Sequence, residues 1–213
     1  MIIMNSNMKS TIKNELQAVK NTVYIQLYLD EKNSHEALEM IAFTQEIADL
    51  HDLIHLEVLD QYDLTQSNNP YQVERTPAII LLNKNKEFLG VKYYGLPAGY
   101  EIRSFIQGII AMSEDKLTIS PNVLTRIESI NQPVTLKVFI TLGCPHCPQA
   151  VHNAHKIAML NKNITAEMID AQLFADYSSQ YQVSGVPKII INEQFDLLGN
   201  VPLTRMLDEI EKL

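Results

Sequence analysis

The sequence predicts an α/β protein made of two copies of one unit, each a mixed central sheet flanked by helices. Two observations lead to this prediction. Residues 54–82 align with residues 164–192 at an offset of 110 without a gap, and nine of the 29 aligned positions are identical. In both copies, apolar runs typical of strands alternate with segments whose apolar residues recur at helical spacing. Such alternation is typical of sheets covered by helices.

Both copies show the same order of elements: helix, strand, helix, strand, a strand led by proline, a further strand and a closing helix. In the first copy, we expect these elements at residues 8–19, 22–29, 34–50, 54–59, 77–82, 87–93 and 100–112. In the second copy, we expect them at residues 121–130, 135–141, 146–160, 164–169, 187–192, 195–199 and 202–212. Upstream of the gap-free window, the copies align at an offset of 113, which matches TVYIQLYL with TLKVFITL.

The polar segment MSEDKLTISP, residues 112–121, separates the two copies. We place the domain boundary within it, which predicts one domain at residues 1–116 and another at residues 117–213. Each would hold about 100 residues, which is an ordinary size for a domain.

The charge balance excludes several classes of partner. With a net charge of −8 and a pI near 5.2, the chain has no surplus of basic residues to neutralise phosphates. We therefore expect neither a nucleic-acid nor a membrane partner. The opening residues, MIIMNSNMKS, are too poor in apolar side chains for a signal peptide, and no run reaches membrane-spanning length. We expect a cytoplasmic location.

Both cysteines of the chain lie in LGCPHCPQAV, residues 142–151. The expected elements put them where a strand passes into a helix, with Pro145 at the first helical position and Cys147 one turn inside. Cys147 should face inward, and Cys144 should be more exposed. The free N–H groups and partial positive charge of a helix N-terminus stabilise a thiolate. This arrangement fits a two-step exchange in which Cys144 attacks a disulfide and Cys147 resolves the intermediate.

The residues alone leave several further uses of the CxxC motif open. A structural crosslink is disfavoured because so small a loop hardly restricts the unfolded chain. Zinc could take His152 or His155 as further ligands, but eight residues of helix put Cys147 and His155 about 12 Å apart. An iron–sulfur cluster shared by two chains and a docking module without exchange chemistry are also compatible with the motif. We expect no bound metal, and we expect both histidines on a solvated helix flank.

A second motif, SGVPK at residues 184–188, follows the cysteines. Together with CPHC, it resembles the thioredoxin superfamily, in which a proline with a cis peptide bond packs beside the cysteines. The resemblance implies that Val186–Pro187 is this bond and that the Val186 backbone pairs with an extended substrate strand. It also implies that Pro145 and His146 modulate the reactive thiol. We expect His146 to lower the pKa of Cys144.

Over nearly its whole length, the chain resembles proteins with two tandem thioredoxin folds. These are the glutaredoxin-like protein disulfide oxidoreductases and the N-terminal domain of the alkyl hydroperoxide reductase flavoprotein subunit. The motifs that carry the resemblance are CPHCP, GVPK and GLPAGYE, the last of which we expect to be the junction between the domains. The first copy keeps Thr76–Pro77 but has EKNS, residues 31–34, in place of CPHC. We therefore expect the first copy to be redox-inactive.

This resemblance implies a dithiol–disulfide oxidoreductase without a bound cofactor. It would pass electrons from a thioredoxin-reductase-like flavoprotein to a peroxiredoxin or other protein disulfides through Cys144 and Cys147. Because no flavin or nicotinamide domain follows in this sequence, we expect the reductant to be a separate protein. A protein disulfide oxidase or isomerase is the alternative function.

The group that deprotonates Cys147 is not identifiable from the sequence. Val138 stands where thioredoxins bury an acidic residue. Glu167, on a neighbouring predicted strand, is a candidate base, although its counterpart Glu57 in the copy without cysteines favours a structural role.

Overall fold

The computed structural model describes residues 4–30, 34–59 and 69–213. Glu31, Lys32 and Asn33, the first three residues of the expected counterpart of CPHC, therefore lie outside the described residues, as does Asp60 of the repeat. None of the helices in these described ranges has the length and apolar character that a membrane crossing requires.

The described residues of the first half form three α-helices and four strands, and a short 3₁₀ helix precedes the last α-helix. Side-chain oxygens cap the first two helices: Asn5 accepts from the Met8 N–H at 2.9 Å, and Ser34 accepts from the Ala37 N–H at 3.1 Å. The elements are α1 (Ser6–Leu16), β1 (Val23–Tyr28), α2 (His35–Ala48), β2 (Ile54–Leu59), β3 (Ala78–Leu82), β4 (Phe88–Tyr94), the 3₁₀ helix (Gly99–Glu101) and α3 (Ile102–Met112).

The second half shows the same order and has a further helix, α6, whose counterpart positions in the first half lie largely outside the described residues. Its elements are α4 (Pro121–Glu128), β5 (Val134–Ile140), α5 (Cys147–Leu160), β6 (Ile164–Asp170), α6 (Ala175–Gln180), β7 (Lys188–Ile191), β8 (Phe195–Leu198) and α7 (Leu203–Ile210). The helix α6 was not predicted, because its sequence ADYSSQ has no apolar periodicity.

All eight strands belong to one sheet, in the order β2-β1-β3-β4-β6-β5-β7-β8. The two halves meet where β4 runs parallel to β6, in a register that extends from Val91 opposite Ala166 to Tyr94 opposite Ile169. We call this contact the seam. The boundary proposed between residues 116 and 117 falls in the connection from α3 to α4, and it stays a prediction.

The strand registers change the alignment of the first strand of each half. Val23 lies opposite Ile54 in the first half, and Val134 lies opposite Ile164 in the second. β1 and β5 therefore correspond at an offset of 111, and the predicted offset of 113 is wrong for these strands.

The gap-free window keeps its offset of 110 in the structure. Gln72 and Gln182 share an unusual backbone angle, φ 51°, and the peptide bonds before Pro77 and Pro187 are both cis. The two halves thus repeat the backbone path that leads into β3 and β7.

The sheet separates two layers of the core, because successive side chains of a strand point to opposite faces. One face, which we call the cysteine side, packs both cysteines with the apolar residues of α1–α5 and α7. The other face, which we call the α6 side, packs a smaller cluster that includes Tyr94, Phe139 and the aromatic residues in and beside α6. Tyr93 and Tyr94 are both fully buried, one on each side.

Candidate functional site

The two cysteines form a disulfide at the point where β5 passes into α5. β5 ends at Ile140, and α5 begins at Cys147, whose Cα lies 5.5 Å from that of Cys144. Cys147 is therefore the first residue of the helix rather than one turn inside it. The prediction that Pro145 opens the helix is also wrong, because Pro145 lies in the preceding turn and Pro148 occupies the first turn of the helix.

Both cysteines are buried in the disulfide form. Cys147 is 0% exposed, as its predicted inward position requires, and Cys144 is 8% exposed. The order of exposure is the expected one, with Cys144 more exposed than Cys147, although neither side chain is open to solvent in this form. Between them, Pro145 and His146 are both exposed. Cys144 is still the more accessible of the two cysteines.

The segment before β7 lies against Cys144. The Val186 carbonyl oxygen is 3.8 Å from the Cys144 Sγ, and the Val186–Pro187 peptide bond is cis. Among the described residues, no group accepts a hydrogen bond from the Val186 N–H. The backbone of Val186 is thus available to another chain beside the disulfide.

The positive end of a helix dipole also points at the disulfide. No side chain caps the N-terminus of α5, so its first N–H groups have no side-chain acceptor. These groups and the dipole favour a negative charge at the sulfur atoms once the disulfide is reduced.

A buried carboxyl group from the first half lies near the cysteine loop. Glu101, at the end of the 3₁₀ helix, is 0% exposed. Its neighbour Tyr100 donates its backbone N–H to the carbonyl of Leu142, two residues before Cys144, at 3.0 Å. One oxygen of Glu101 accepts from the Ser104 hydroxyl at 2.5 Å, and the other has no hydrogen-bond partner among the described residues.

The environment of Glu101 favours the protonated form of its carboxyl group up to about neutral pH. Burial raises the pKa of Glu101 to about 7, and the negative charge of Asp170 acts in the same direction. Asp170 ends β6 and is itself only 6% exposed, and burial raises its pKa as well. Glu101 was not predicted as a site residue, because it comes from the other half and its motif was interpreted only as a junction.

One known family matches the chain within its second half. Residues 134–212 match the family model of the thioredoxin domain.

Over these residues, the second half is similar to the thioredoxin domain.

Almost the whole chain also matches part of a longer curated protein and nearly the full length of two solved structures. The F subunit of the alkyl hydroperoxide reductase of Pseudomonas aeruginosa is 24% identical over 209 residues, which are 98% of this chain and 37% of that protein. The chain thus spans little more than a third of the length of that curated relative.

Two solved structures share the complete fold. The NTD_N/C domain of the alkylhydroperoxide reductase AhpF of Enterococcus faecalis superposes with a TM-score of 0.90 at 22% identity, over 98% of this chain and 100% of that one. A protein disulfide oxidoreductase of Aeropyrum pernix gives 0.89 at 23% identity, over 99% and 94%. These matches confirm the predicted class of two tandem thioredoxin-like folds.

The chain thus shares its fold with AhpF and with a protein disulfide oxidoreductase, and it has a disulfide between Cys144 and Cys147.

The first half has the fold of the thioredoxin domain without its thiols. Its Thr76–Pro77 bond is cis, like the bond beside the disulfide. Ser34 is the described residue of the expected EKNS counterpart, and it caps α2. The sequence has no cysteine besides Cys144 and Cys147, so the first half cannot itself exchange disulfides.

Glu167, the base considered from the sequence, lies on the wrong side of the sheet. On β5 and β6, Val138 lies opposite Met168 and both face the cysteine side, whereas Glu167 points to the α6 side. There it meets Lys92 of the first half, with Oε1 3.4 Å from Nζ. Glu167 therefore cannot take a proton from Cys147, and its contact is a structural one across the seam.

The two histidines of α5 differ from the prediction of a solvated flank. His155 is 2% exposed, and its Nε2 donates to the Lys92 carbonyl at 3.2 Å. Burial lowers the pKa of His155 to about 3, so the ring is neutral. His152 is half-buried, and burial lowers its pKa too. The prediction fails because α5 packs against the first half as well as its own sheet.

Metal ligation was the main competing interpretation of the CxxC motif. Across the ranges that the structure describes, no three His, Cys, Asp or Glu side chains are grouped closely enough to hold a metal ion. His155, one of the two ligands considered, is hydrogen-bonded to the backbone of β4.

Proposed function

We propose that the chain passes electrons from a flavin-dependent reductase to a peroxiredoxin or other protein disulfides by opening and closing the Cys144–Cys147 disulfide. The observation that carries this proposal is the position of the disulfide. It lies at the positive end of α5 and beside the backbone of Val186. We place the reaction in the cytoplasm, where thiol pools keep such dithiols reduced.

In the first step, the thiolate of Cys144 attacks one sulfur of the partner disulfide. A bond forms between Cys144 and that sulfur, the partner disulfide breaks, and its second sulfur leaves as a thiolate that takes a proton from solvent. Cys144 is the attacking residue because it is the more accessible cysteine. The N-terminus of α5 stabilises the attacking thiolate, and the exposed Pro145 and His146 shape the turn that a partner must approach.

The Val186 backbone positions the partner in this step. Its free N–H and its carbonyl group suit an extended segment that runs past the disulfide as an added strand. Pro187 fixes the start of β7 behind it. Such a segment would bring the partner sulfur to Cys144 without any side-chain specificity.

In the second step, the thiolate of Cys147 attacks the Sγ of Cys144. The mixed disulfide breaks, the Cys144–Cys147 disulfide forms again, and the remaining partner sulfur leaves as a thiolate that takes a proton from solvent. Cys147 must lose a proton first. We assign Glu101 as the acceptor because it is a buried carboxyl group with one unpartnered oxygen, and its neighbour Tyr100 bonds to the cysteine loop. A base with a pKa near the working pH is the most effective one. In total, two electrons pass from the dithiol to the partner, and the two partner sulfur atoms take up two protons from solvent.

The identity of donor and acceptor rests on the relatives. The name of the Pseudomonas relative, an alkyl hydroperoxide reductase, describes an enzyme that reduces peroxides, so we propose a peroxiredoxin as one acceptor. A flavoprotein of the thioredoxin-reductase type is the proposed donor, because the reduced dithiol must be restored by two electrons from a nicotinamide source.

The deciding experiment uses the full chain with Cys147→Ser. This variant, in its reduced state, is mixed with an oxidised peroxiredoxin and separated on a non-reducing gel. We expect a covalent complex through Cys144 that dithiothreitol releases, because the resolving thiol is missing. The matched control, Cys144→Ser, should form no complex.

The midpoint potential of the wild-type dithiol then gives the direction of electron flow. A value close to the roughly −270 mV of thioredoxin supports the proposal, and a value close to the roughly −120 mV of DsbA replaces it with an oxidase or isomerase. If the reduced wild type transfers no electrons to the peroxiredoxin or to insulin, the proposal is wrong.

A further inference from the structure

An arginine of the first half reaches across the seam and packs against α6. Arg75 lies in the segment that leads into β3, two residues before Pro77. Its guanidinium carbon is 3.5 Å from the centre of the Tyr177 ring on α6 and 5.9 Å from that of Phe174, which precedes the helix. The ring centre of Tyr94 on β4 is 5.2 Å away. We call these three rings the arginine cage.

The cage, rather than an ion pair, holds the guanidinium of Arg75. Among the described residues, its Nη1 has no hydrogen-bond partner. The carboxylate of Glu74 is 3.7 Å from this nitrogen, but the Glu74 side chain is 55% exposed, and an exposed pair of this kind contributes little. A guanidinium that lies over aromatic rings and is shielded from water is attracted by their π electrons.

The repeat shows that this arginine is not a feature of both halves. At the offset of 110, the counterpart of Arg75 is Gly185, two residues before Pro187 and next to Val186. A Cβ built on Gly185 would meet a side-chain atom of Leu198 at 3.5 Å, in ordinary contact. The same backbone position thus carries no side chain in the half with the cysteines and carries a contact across the seam in the half without them.

The helix that Arg75 contacts has little stability of its own. α6 has six residues, and isolated helices shorter than about 12 residues are marginal in water. Its sequence ADYSSQ contains weak helix formers, no side chain caps its N-terminus, and Ser178 is its one buried residue. The position of α6 therefore depends on contacts such as the one between Tyr177 and Arg75.

The end of α6 leads directly to the backbone beside the disulfide. The Val183 N–H donates to the Ser178 carbonyl at 3.1 Å, so the chain that leaves the helix is bonded to it. Three residues further on, the Val186 carbonyl oxygen lies 3.8 Å from the Cys144 Sγ. Because only residues 181–185 connect α6 to Val186, a shift of the helix moves this backbone as well.

We propose that Arg75 is a positioning residue for disulfide exchange with proteins. From the half without thiols, it holds α6 and thereby sets the position of the Val186 backbone beside Cys144. This inference rests on the proposed function, in which that backbone pairs with an extended segment of the partner. It gives the first half a part in substrate binding that needs neither a thiol nor contact with the substrate.

The test compares a protein disulfide with a small one, because a small disulfide needs no pairing with the backbone. The full chain is kept reduced by dithiothreitol, and initial rates at several insulin concentrations give KM and kcat. In Arg75→Met, we expect the KM for insulin to rise about fivefold, the factor that one cation–π contact is worth. The kcat with insulin and the rate constant with hydroxyethyl disulfide should not change.

Two further variants frame this result. Arg75→Lys keeps the charge over the rings but loses the planar stacking, so its KM for insulin should lie between those of the wild type and Arg75→Met. Arg126→Met is the matched control, because it removes a guanidinium that forms exposed ion pairs with Asp208 and Glu211. Its KM for insulin should equal that of the wild type.

Hydrogen exchange followed by mass spectrometry locates the effect. In Arg75→Met, peptides that cover residues 175–187 should exchange faster, and peptides from α5 should exchange as in the wild type. Faster exchange throughout the chain would make Arg75 a general stabilising residue and would overturn the inference.

Tyr177→Leu tests the same contact from the other side. If both residues act through one contact, the double variant with Arg75→Met should raise the KM for insulin no further than the larger of the two single changes. Independent effects that multiply would show that the two side chains act separately, and the link from Arg75 to α6 would then be wrong.

Other results separate this inference from the proposed function. A wild type that reduces insulin, together with an unchanged KM in Arg75→Met, overturns the inference alone. An equal loss of rate with insulin and with hydroxyethyl disulfide also overturns it, because Arg75 would then affect the thiols themselves. If the wild type reduces neither disulfide, the proposed function itself has failed.

Discussion

Lys92 of the first half and Glu167 of the second form a buried ion pair across the seam, with Nζ 3.4 Å from Oε1. Lys92 also donates to the Gln72 carbonyl at 2.8 Å. The second carboxylate oxygen of Glu167 has no hydrogen-bond partner among the described residues. Burial raises the pKa of Glu167, and the charge of Lys92 opposes that rise. Each charge is therefore tolerated because the other is present.

Removing one partner of this pair should destabilise the whole chain. Lys92→Met leaves the Glu167 carboxylate buried and unpaired, and a change of this kind costs about 3–5 kcal/mol. We expect this loss in the free energy of unfolding from urea denaturation followed by circular dichroism. The exposed pair of Lys20 and Glu114 gives the control, because Lys20→Met should cost less than about 1 kcal/mol.

The double variant Lys92→Met/Glu167→Leu distinguishes charge from packing. With both charges removed, the loss should be clearly smaller than in Lys92→Met alone. A double variant that is less stable than Lys92→Met would show that shape, and not the ion pair, matters at the seam.

Glu101 should make the stability of the chain depend on pH. Its pKa rises from 4.5 to about 7 on folding, so the folded chain binds more protons than the unfolded chain between these values. The contribution of Glu101 to the free energy of unfolding is then fully present below pH 4.5 and is lost as the pH rises through 7. The decrease is about 3 kcal/mol for a shift of this size. Glu101→Gln, which does not titrate, should lack this decrease when unfolding is compared at pH 4.5 and pH 7.5. Equal pH dependence in both proteins would contradict the assigned environment of Glu101.

Two glycines near the cysteine loop should respond differently to alanine. Gly99 has φ +58°, and a Cβ there would lie 2.5 Å from the Leu142 carbonyl oxygen. Gly99→Ala should therefore cost about 1–3 kcal/mol and slow disulfide exchange, because the 3₁₀ helix must move away from that loop. A Cβ on Gly143 would meet no atom within 4 Å. Gly143→Ala, the matched control, should unfold at nearly the wild-type urea concentration. A Gly99→Ala variant as stable as this control would contradict the close approach.

His146 should help to keep the Cys144 thiol ionised. The residue is exposed in the turn between the cysteines, where a positive ring stabilises a neighbouring thiolate. In His146→Ala, we expect the pKa of Cys144 to rise, as followed by the ultraviolet absorbance of the thiolate during a pH titration. In the variant Cys144→Ser, Cys147 is the only thiol, so its own thiolate absorbance can be measured separately. A titration midpoint that is the same in His146→Ala and in the wild type would show that His146 does not affect the Cys144 thiol.

The sequence predicted the elements of the fold well where the chain repeats a distinctive local pattern. The window from residue 54 to 82 contains YQV and a proline at fixed spacing, and its offset of 110 holds in the structure. The first strands have no such marker. Apolar alternation repeats every two residues, so an alignment that is wrong by two residues looks as good as the correct one.

The parts of the site that the sequence did not reveal depend on contacts between the halves. His155 looks like a surface residue on an isolated helix, yet it is buried because α5 also packs against β4 and Tyr93. Glu101 has no cysteine near it in the sequence, and only the packing of the 3₁₀ helix on Leu142 brings it to the cysteine loop. CPHC and GVPK were found because each motif is continuous in the chain.

The parallel contact between β4 and β6 has a consequence for solubility. A second half cut off from the first would present the bare flank of β6, with a row of unpaired backbone groups and an uncompensated Glu167. Exposed strand flanks of this kind recruit further strands and start aggregation. The first half, although it has no thiol chemistry, thus acts as a built-in strand partner that protects its redox-active twin from self-association.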